Sequence, residues 1–302
     1  MNIFFPKEHI NEARFSLTGE TAEKFLKKNI DLYVEETVQF QDALLNNLIE
    51  TAKVKTISRQ QGLSSADIIC SLNKLSLDDV AHVKQDTLVV SFLDPFNEVE
   101  LISELKNRSI SSISMELVPR TTRAQKMDAL SSQANLAGYS AVIIASNHLE
   151  KALPMMMTAA GTISPSKVFV VGVGVAGLQA IATAKRLGAR VEAFDTREEV
   201  EDQVKSLGAR FVKIDLGETE QTSQGYAKAL TADQIKKQQE GMKKVCSSSD
   251  IVITTAQVFG RPAPKIITAE MVEAMQPGSV VVDMAVSSGG NVEGSKKGEI
   301  VD

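Results

Sequence analysis

The sequence has little cysteine and no excess of positive charge. Its two cysteines, Cys70 and Cys246, are too few for a disulfide framework or a thiolate metal site, so we expect both to pack as small apolar groups in a reducing compartment. The formal net charge of -5 at pH 7 argues against a nucleic-acid partner, because such binding requires a basic face that neutralises phosphates. The composition therefore predicts neither a metal site nor a nucleic-acid interface.

Long apolar runs are also missing. No run approaches the roughly 20 apolar residues that span a bilayer. The N-terminal stretch MNIFFPKEHINEARF has no basic region followed by a long apolar core, so we expect no secretory signal. These absences predict a cytoplasmic chain without direct membrane insertion, in which any connection to a membrane runs through a partner.

The sequence does contain two series of β-rich runs that alternate with helical patterns. The first series is NIFF, DLYVEE, VKTI, TLVVSFL and SISSISME, and the second is KVFVV, RVEAFD, RFVKID, DIVITT and SVVVDM. This alternation indicates βαβ units and mostly parallel sheets. We predict an α/β fold of two Rossmann-like domains, residues 1–130 and 131–302, joined by a long helix between Ala124 and about Leu153. The cleft between the domains is the expected nucleotide site.

A glycine loop follows the first strand of the second series. Gly172, Gly174 and Gly177 form G-x-G-x-x-G between KVFVV and the helical stretch LQAIATAKRLG. The first glycine permits a tight turn, the second lets the backbone approach a pyrophosphate, and the third lets helix and strand pack closely. The next strand ends in Asp195, where a carboxylate can accept hydrogen bonds from the adenosine ribose. The predicted dinucleotide site also includes Val175, Ala176 and Thr196.

Asp195 bears on the choice of dinucleotide. Its carboxylate would repel a 2′-phosphate, so the pattern favours NAD(H) over NADP(H). Arg197 is the opposing signal, because a guanidinium two residues later is able to pair with that phosphate; otherwise it is a solvated side chain at a helix start.

The sequence offers few candidate residues for proton transfer. A dehydrogenase that oxidises an alcohol or amine needs a placed general acid or base. His9 and His82 lie in polar surroundings, and His148 lies on the predicted linking helix next to LEK, so all three are interpreted as surface residues. Ser287 and Ser288 follow the last strand, where a cleft carboxylate would be useful. The sequence thus predicts a hydride site without a proton-transfer residue.

Several longer stretches resemble one protein family. They are VPRTTRAQKMDALSSQANLAGY, PMMMTAAGT, GVGVAGLQAIATAKRLGA, GYAKAL, PAPKIIT and PGSVVVDMAVSSGGN. Together they resemble the NAD(H)-binding component, domain I, of proton-translocating NAD(P) transhydrogenase, and the likeness runs from FFPKEHINEARFSLT to GEIV. In that family hydride passes directly between two nicotinamide rings, which requires no acid or base residue. Its members continue beyond GEIVD with a segment that completes the first domain, so the resemblance implies either a truncation at Asp302 or packing supplied elsewhere.

Alanine dehydrogenase is the related competitor. It shares an arginine equivalent to Arg14, but its substrate lysine falls near Ser71, its histidine region becomes SFLDPFN, and its cleft aspartate becomes Ser287. The comparison implies that this chain does not deaminate alanine. Asp94 in SFLDPFN departs from the neutral or aromatic residues of transhydrogenases and is expected to alter the cleft without changing the reaction class.

The resemblance also implies roles for individual residues. Asp128 and Ser131 would bond the nicotinamide carboxamide, and Arg120 would anchor the carboxamide or the pyrophosphate. Gln125 would bridge towards the incoming NADP(H) domain. Without the resemblance, ordinary capping at a helix start is the favoured interpretation of Asp128 and Ser131. Tyr226 matches a mobile loop that folds over bound nucleotide.

The function implied by the resemblance is direct hydride transfer between NAD(H) on this chain and NADP(H) on a partner domain. Membrane-spanning partner subunits would couple the transfer to proton movement and hold the chain at the inner face of the cell membrane. A homodimer is implied as well. An amino-acid dehydrogenase with a displaced substrate site and a non-catalytic NAD(H)-binding module remain the alternatives. The methionines of PMMM are interpreted as core or domain-hinge packing.

Overall fold

The structure is a computed structural model that describes residues 1–38, 40–217, 230–257 and 260–302. The chain divides into two compact units, Met1–Leu130 and Ser131–Asp302. Each unit is built on a parallel sheet, which confirms the predicted α/β class. None of the helices in the described ranges has both the length and the apolar composition to cross a bilayer.

The first unit is a six-stranded sheet with helices in the connections. Its strands are β1 (Asn2–Phe5), β2 (Asp31–Glu35), β3 (Val54–Ile57), β4 (Ile68–Cys70), β5 (Leu88–Ser91) and β6 (Ser111–Ser114). Its helices are α1 (Gly19–Leu26), α2 (Ala43–Glu50), α3 (Arg59–Ser65), α4 (Leu77–His82) and α5 (Val99–Asn107). The strand order β3-β2-β1-β4-β5-β6 places a topological switch point between β1 and β4.

Alternating side chains of β1 fill the two faces of this sheet. Phe4 packs with Leu63 of α3 on one face, and Phe5 packs with Leu45 of α2 on the other. The α3 helix approaches closely because Gly62 has no side chain, since a Cβ there would lie 2.4 Å from the Phe4 ring. The two faces of a single strand therefore anchor both helical layers of the unit.

A cavity of about 250 Å³ lies at the switch point of the first unit. Glu8, in the loop after β1, is only 9% exposed and lines it. Its carboxylate accepts hydrogen bonds from the N–H groups of Leu72 at 2.7 Å and Asn73 at 2.9 Å, both in the loop after β4. Glu8 thus links the loops after β1 and β4 at the crevice where an open α/β sheet usually binds a ligand.

The second unit carries the dinucleotide motif on a five-stranded sheet. Its strands are β9 (Lys167–Val171), β10 (Arg190–Phe194), β11 (Arg210–Phe211), β12 (Ile251–Thr254) and β13 (Val280–Asp283), after a separate hairpin of β7 (Met156–Thr158) and β8 (Gly161–Ile163). Its helices are α6 (Ala129–His148), which begins two residues before the unit, α7 (Val175–Arg186), α8 (Glu201–Ser206), α9 (Ala232–Ser247) and α10 (Ala269–Glu273). The sheet order is β11-β10-β9-β12-β13, and all its pairs are parallel.

Two expectations for the segment before β9 need correction. The linking helix is shorter than predicted: α6 covers Ala129–His148, and Gln125–Met127 forms a separate 3₁₀ turn. The methionines are not core residues, because Met155, Met156 and Met157 are 60%, 41% and 83% exposed. An antiparallel hairpin places them at the surface, and apolar composition alone does not distinguish such a hairpin from buried packing.

Candidate nucleotide-binding site

The three loop glycines have different steric surroundings. Gly172 adopts a φ of +95°, and a Cβ there would lie 2.6 Å from Thr255 Oγ1. A Cβ on Gly177 would lie 1.9 Å from the carbonyl oxygen of Gly172. A Cβ on Gly174, by contrast, would have no atom within 4 Å. The first and third glycines are therefore needed by the fold itself, whereas the second faces open space.

The N-terminus of α7 fits an anion. Gly174 is the N-cap residue, and no side chain caps the first turn. Val175 is 40% exposed. An uncapped helix start leaves backbone N–H groups and the positive end of the helix dipole available to a phosphate. The open space at Gly174 and this helix start together match a pyrophosphate, with Val175 and Ala176 contributing backbone N–H groups.

Asp195 lies beside the glycine loop because β10 pairs with β9. Phe194 is in register with Val171, and the N–H of Gly172 donates to Phe194 O at 2.9 Å. One residue further along each segment, the N–H of Val173 donates to Asp195 Oδ2 at 2.7 Å. The carboxylate is therefore fixed at the carboxyl edge of the sheet, as its position after a strand predicts.

A recess continues from Asp195 along the edge of the sheet. Its lining includes Thr196 and the apolar side chains of Phe211, Val212 and Ile214. At the carboxyl edge of the sheet the structure brings together eight of the predicted residues: Gly172, Gly174, Val175, Ala176, Gly177, Asp195, Thr196 and Arg197.

Sequence reasoning missed two residues that support the loop. Thr255, which follows β12, donates through Oγ1 to Gly172 O at 3.0 Å. Gly138 of α6 lies against the start of α7, since a Cβ there would be 2.2 Å from Ala176 O. The second threonine of DIVITT directly after a strand is a signal for Thr255, whereas nothing in the sequence pairs Gly138 with Ala176.

The residues predicted at the nicotinamide end lie around the boundary between the units. Arg120 and Gln125 are exposed, whereas Asp128 and Ser131 are half-buried. The first three belong to the first unit, and Ser131 belongs to the second. Tyr226 lies outside the described residues. The roles assigned to these side chains remain predictions.

The comparisons with known proteins place the chain in a family. The N-terminal domain of alanine dehydrogenase/PNT matches residues 4–137, and the C-terminal domain of alanine dehydrogenase/PNT matches residues 141–302. The chain belongs to the alanine dehydrogenase/PNT family. This confirms the resemblance found in the sequence.

Within the alanine dehydrogenase/PNT family, the chain shares more sequence with transhydrogenase subunits, such as the one below at 45% identity, than with the alanine dehydrogenase below at 25%. It is 45% identical to the first part of the NAD(P) transhydrogenase subunit alpha of Rickettsia prowazekii, over 100% of this chain and 80% of that protein. A crystal structure of transhydrogenase from Sinorhizobium meliloti superposes with a TM-score of 0.84 at 40% identity, covering 100% of this chain and 83% of that one. The alanine dehydrogenase of Bacillus subtilis is a distant relative, 25% identical over 97% of this chain and 72% of its own length.

The structure shows the surroundings of the residues that the sequence comparison with alanine dehydrogenase singled out. Arg14 forms hydrogen bonds to Glu12, from Nε to Oε1 at 2.8 Å and from Nη2 to Oε2 at 2.6 Å, and these bonds raise the pKa of Arg14. Ser71 is buried and donates to Asn73 O at 2.8 Å. Asp94 has a φ of +50° and accepts from Asn97 Nδ2 at 2.9 Å. Ser287 lies in a 3₁₀ turn, Val286–Ser288.

Proposed function

We propose that this chain is the NAD(H)-binding component of a transhydrogenase, which exchanges hydride between its own NAD(H) and NADP(H) on a partner domain. The observation that carries the proposal is the pairing of two features. The second unit has a glycine loop, an uncapped helix start and an adjacent carboxylate, and the whole chain aligns with transhydrogenase alpha subunits at about 40–45% identity.

Each part of the proposed site has a separate task. The loop at Gly174 and the start of α7 bind the pyrophosphate, and Asp195 binds the adenosine ribose. Arg120, Asp128 and Ser131 hold the carboxamide end, and Gln125 lies towards the partner domain. Bound nicotinamide supplies the hydride chemistry. Because both reactants are nicotinamide rings, the chain's residues have to orient the ring and exclude water rather than move a proton.

The proposed partners are an NADP(H)-binding domain and membrane-spanning subunits that couple hydride transfer to proton movement. The chain itself would be a peripheral component at the inner face of the membrane. Some of its relatives are named as an alpha subunit and others as the first part of that subunit, which supports assembly with further components.

Reconstitution with a partner tests the function. When the chain is mixed with the NADP(H)-binding component of a transhydrogenase, we expect hydride transfer from NADPH to an NAD⁺ analogue followed by absorbance. Gln125→Asn should slow this transfer by about 100-fold, because misplacing a positioning group by about 1 Å costs that much, while NADH affinity changes little. Lys126→Met, in the same exposed 3₁₀ turn, is the matched control.

The alternatives have distinct outcomes in the same assay. NADH oxidation with pyruvate and ammonia, without a second nucleotide, would identify an amino-acid dehydrogenase. Tight NADH binding without any exchange would identify a non-catalytic binding module. Equal losses of transfer rate and NADH affinity in Gln125→Asn would contradict the bridging role.

We also propose a homodimer formed through the second unit. Helix α6 buries Ala141, Val142 and Ala145 on one face, but Leu136 and Tyr139 on its other side are 58% and 50% exposed. Exposed apolar side chains concentrated on one element are typical of an interaction surface. The exposed methionines of the β7–β8 hairpin belong to the same unit.

Sedimentation velocity tests the dimer. Leu136→Asp should shift the chain from dimer to monomer, because a charge at the centre of an apolar interface is left without a partner. Lys236→Asp, at an exposed position of α9, should leave the dimer intact. A wild-type chain that sediments as a monomer at micromolar concentration would contradict the proposal.

A further inference from the structure

The carboxylate of Asp195 is saturated by donors from the protein. Oδ1 accepts hydrogen bonds from the backbone N–H and from Nε of Arg197, both at 2.9 Å. Oδ2 accepts from Nη2 of Arg197 at 2.9 Å and from the N–H of Val173 at 2.7 Å. An ionised carboxylate has about four lone-pair sites. Three of the four hydrogen bonds therefore come from Arg197 alone.

A ribose hydroxyl has to share or displace one of these donors to reach Asp195. The Val173 N–H is held in the glycine loop, and the Arg197 N–H belongs to the backbone. The guanidinium lies on a side chain that is able to turn, and it also donates to Val173 O at 3.3 Å. Arg197 is thus the donor that competes with the ribose for the carboxylate.

We propose that Arg197 determines which nucleotide this site accepts, and that Asp195 controls it by holding its guanidinium. The inference rests on the proposed function and deepens it. While the pair is intact, the guanidinium is withheld from a 2′-phosphate, and the carboxylate beside it repels such a phosphate. An arginine near this carboxylate position is the kind of group that binds the 2′-phosphate of NADP(H). The site is therefore selective for NAD(H), although it contains the cation that could bind the 2′-phosphate of NADP(H).

The charges around the recess make Arg197 the group able to take this role. The charged side chains that line the recess are Asp195, Glu198 and Lys213. Lys213 forms an ion pair with Glu201 at 2.8 Å, and its side chain is 65% exposed. The Asp195 and Arg197 side chains are 7% and 17% exposed, and their interaction is therefore less screened than that of the surface pairs.

Selectivity at this position matters for the proposed reaction. Hydride transfer from NADPH in this site to NADP⁺ on the partner would regenerate NADPH and NADP⁺ with no net change. The component that holds NAD(H) must therefore reject a nucleotide that differs by a single phosphate. The Asp195 carboxylate disfavours that phosphate in two ways. It repels the phosphate directly, and it keeps the Arg197 guanidinium from binding it.

Calorimetry with ADP-ribose and 2′-phospho-ADP-ribose tests the inference without any hydride transfer. The full chain, Asp195→Asn, Arg197→Gln and the double variant are compared. We expect wild type to prefer ADP-ribose. Asp195→Asn should bind 2′-phospho-ADP-ribose about 10- to 100-fold more tightly than wild type, the range expected for charge-assisted hydrogen bonds. The double variant should lose most of that gain, because the repelling charge and the guanidinium are then both absent.

The outcomes separate this inference from the proposed function. If Asp195→Asn and the double variant bind the phosphorylated ligand equally, or if Arg197→Gln weakens both ligands to the same extent, Arg197 is only a structural brace and the inference is overturned alone. If wild type binds neither ligand, the proposed function fails together with it. Thermal unfolding without ligand checks each variant, and Asp195→Ser replaces Asp195→Asn if the latter does not fold.

Discussion

Gly174→Ala is expected to weaken NADH binding strongly while leaving the folded chain almost unchanged. Gly174 has φ −86° and ψ −165°, a conformation that alanine adopts without strain, and nothing lies within 4 Å of the added Cβ. The methyl group would occupy the space through which the backbone approaches the pyrophosphate. The expected loss of affinity is at least about tenfold, or about 1.4 kcal/mol.

Gly177→Ala is the matched variant with the opposite expectation. Its Cβ would lie 1.9 Å from Gly172 O, a backbone atom that cannot move without shifting the loop. Overpacking of this kind costs typically about 1–3 kcal/mol. Gly177→Ala should therefore lower the melting temperature of the nucleotide-free chain, which Gly174→Ala should not.

Thermal unfolding with and without NADH measures both effects in one experiment. A ligand present at 100 times its Kd stabilises the wild-type fold by about 2.7 kcal/mol, so NADH should raise its melting temperature. For Gly174→Ala the melting temperature without NADH should match wild type. At the same NADH concentration, the stabilisation by NADH should fall to about half of the wild-type value or less, because a tenfold weaker site retains about 1.4 kcal/mol. A shift as large as that of wild type would mean that the pyrophosphate does not pass over Gly174.

The nucleotide site of the second unit could be anticipated because its requirements are local. Gly172 and Gly177 lie five residues apart in one turn, which gives Gly172 a positive φ and brings a Cβ on Gly177 against Gly172 O. Asp195 follows the neighbouring parallel strand, so strand pairing places it beside the loop. In both cases the short-range pattern contains the physical reason for the arrangement.

Other features depend on contacts that the sequence does not reveal. The hydrogen bonds between Asp195 and Arg197 depend on the conformation of a long side chain, which a motif does not specify. Helix α9 is largely polar and buries little more than Gln238, Met242 and Cys246, so its apolar pattern is weak. Its start is marked by a capping box at Thr231, which is the one local signal for this helix that the sequence carries.

Arg59→Met is expected to destabilise the first unit by about 2–3 kcal/mol, somewhat less than breaking a fully buried pair because Arg59 reaches water. The Arg59 guanidinium donates to both oxygens of Asp79, at 2.7 and 2.8 Å, and to Glu35 at 2.8 Å. It also donates to Lys7 O at 3.1 Å. One side chain thereby joins the loop after β1, the end of β2 and helix α4, and its removal leaves two poorly exposed carboxylates without their cation.

The sequence gives no sign of this network, because the partners of Arg59 lie 20 to 52 residues away along the chain. Glu35 and Asp79 are 11% and 14% exposed, whereas Arg59 is 36% exposed. Burial raises the pKa of Asp79. Hydrogen bonds and charge from Arg59, together with hydrogen bonds from Ser76, lower it by more, so the pKa lies below its ordinary value. Without Arg59, no guanidinium offsets the rise in the Asp79 pKa that burial causes.

The pH dependence of the loss follows from that shift. A carboxyl group with a lowered folded pKa stabilises the fold above its unfolded pKa of about 3.9, and this contribution disappears as the pH falls through the folded value. The difference in unfolding free energy between wild type and Arg59→Met should be largest near neutral pH and should shrink below about pH 4. A difference that stays constant over that range would show that Arg59 contributes packing rather than charge.

Urea unfolding followed by circular dichroism measures this difference, and the absence of tryptophan makes backbone signals the practical choice. Lys55→Met is the control, because Lys55 and Asp31 form an exposed pair at 3.5 Å with side chains 52% and 58% exposed, and such pairs contribute about 0–1 kcal/mol. Arg59→Lys should be intermediate, since an ammonium keeps the charge but cannot make the bidentate contact to Asp79. If Arg59→Lys is as unstable as Arg59→Met, the forked geometry of the guanidinium, rather than its charge, holds the network together.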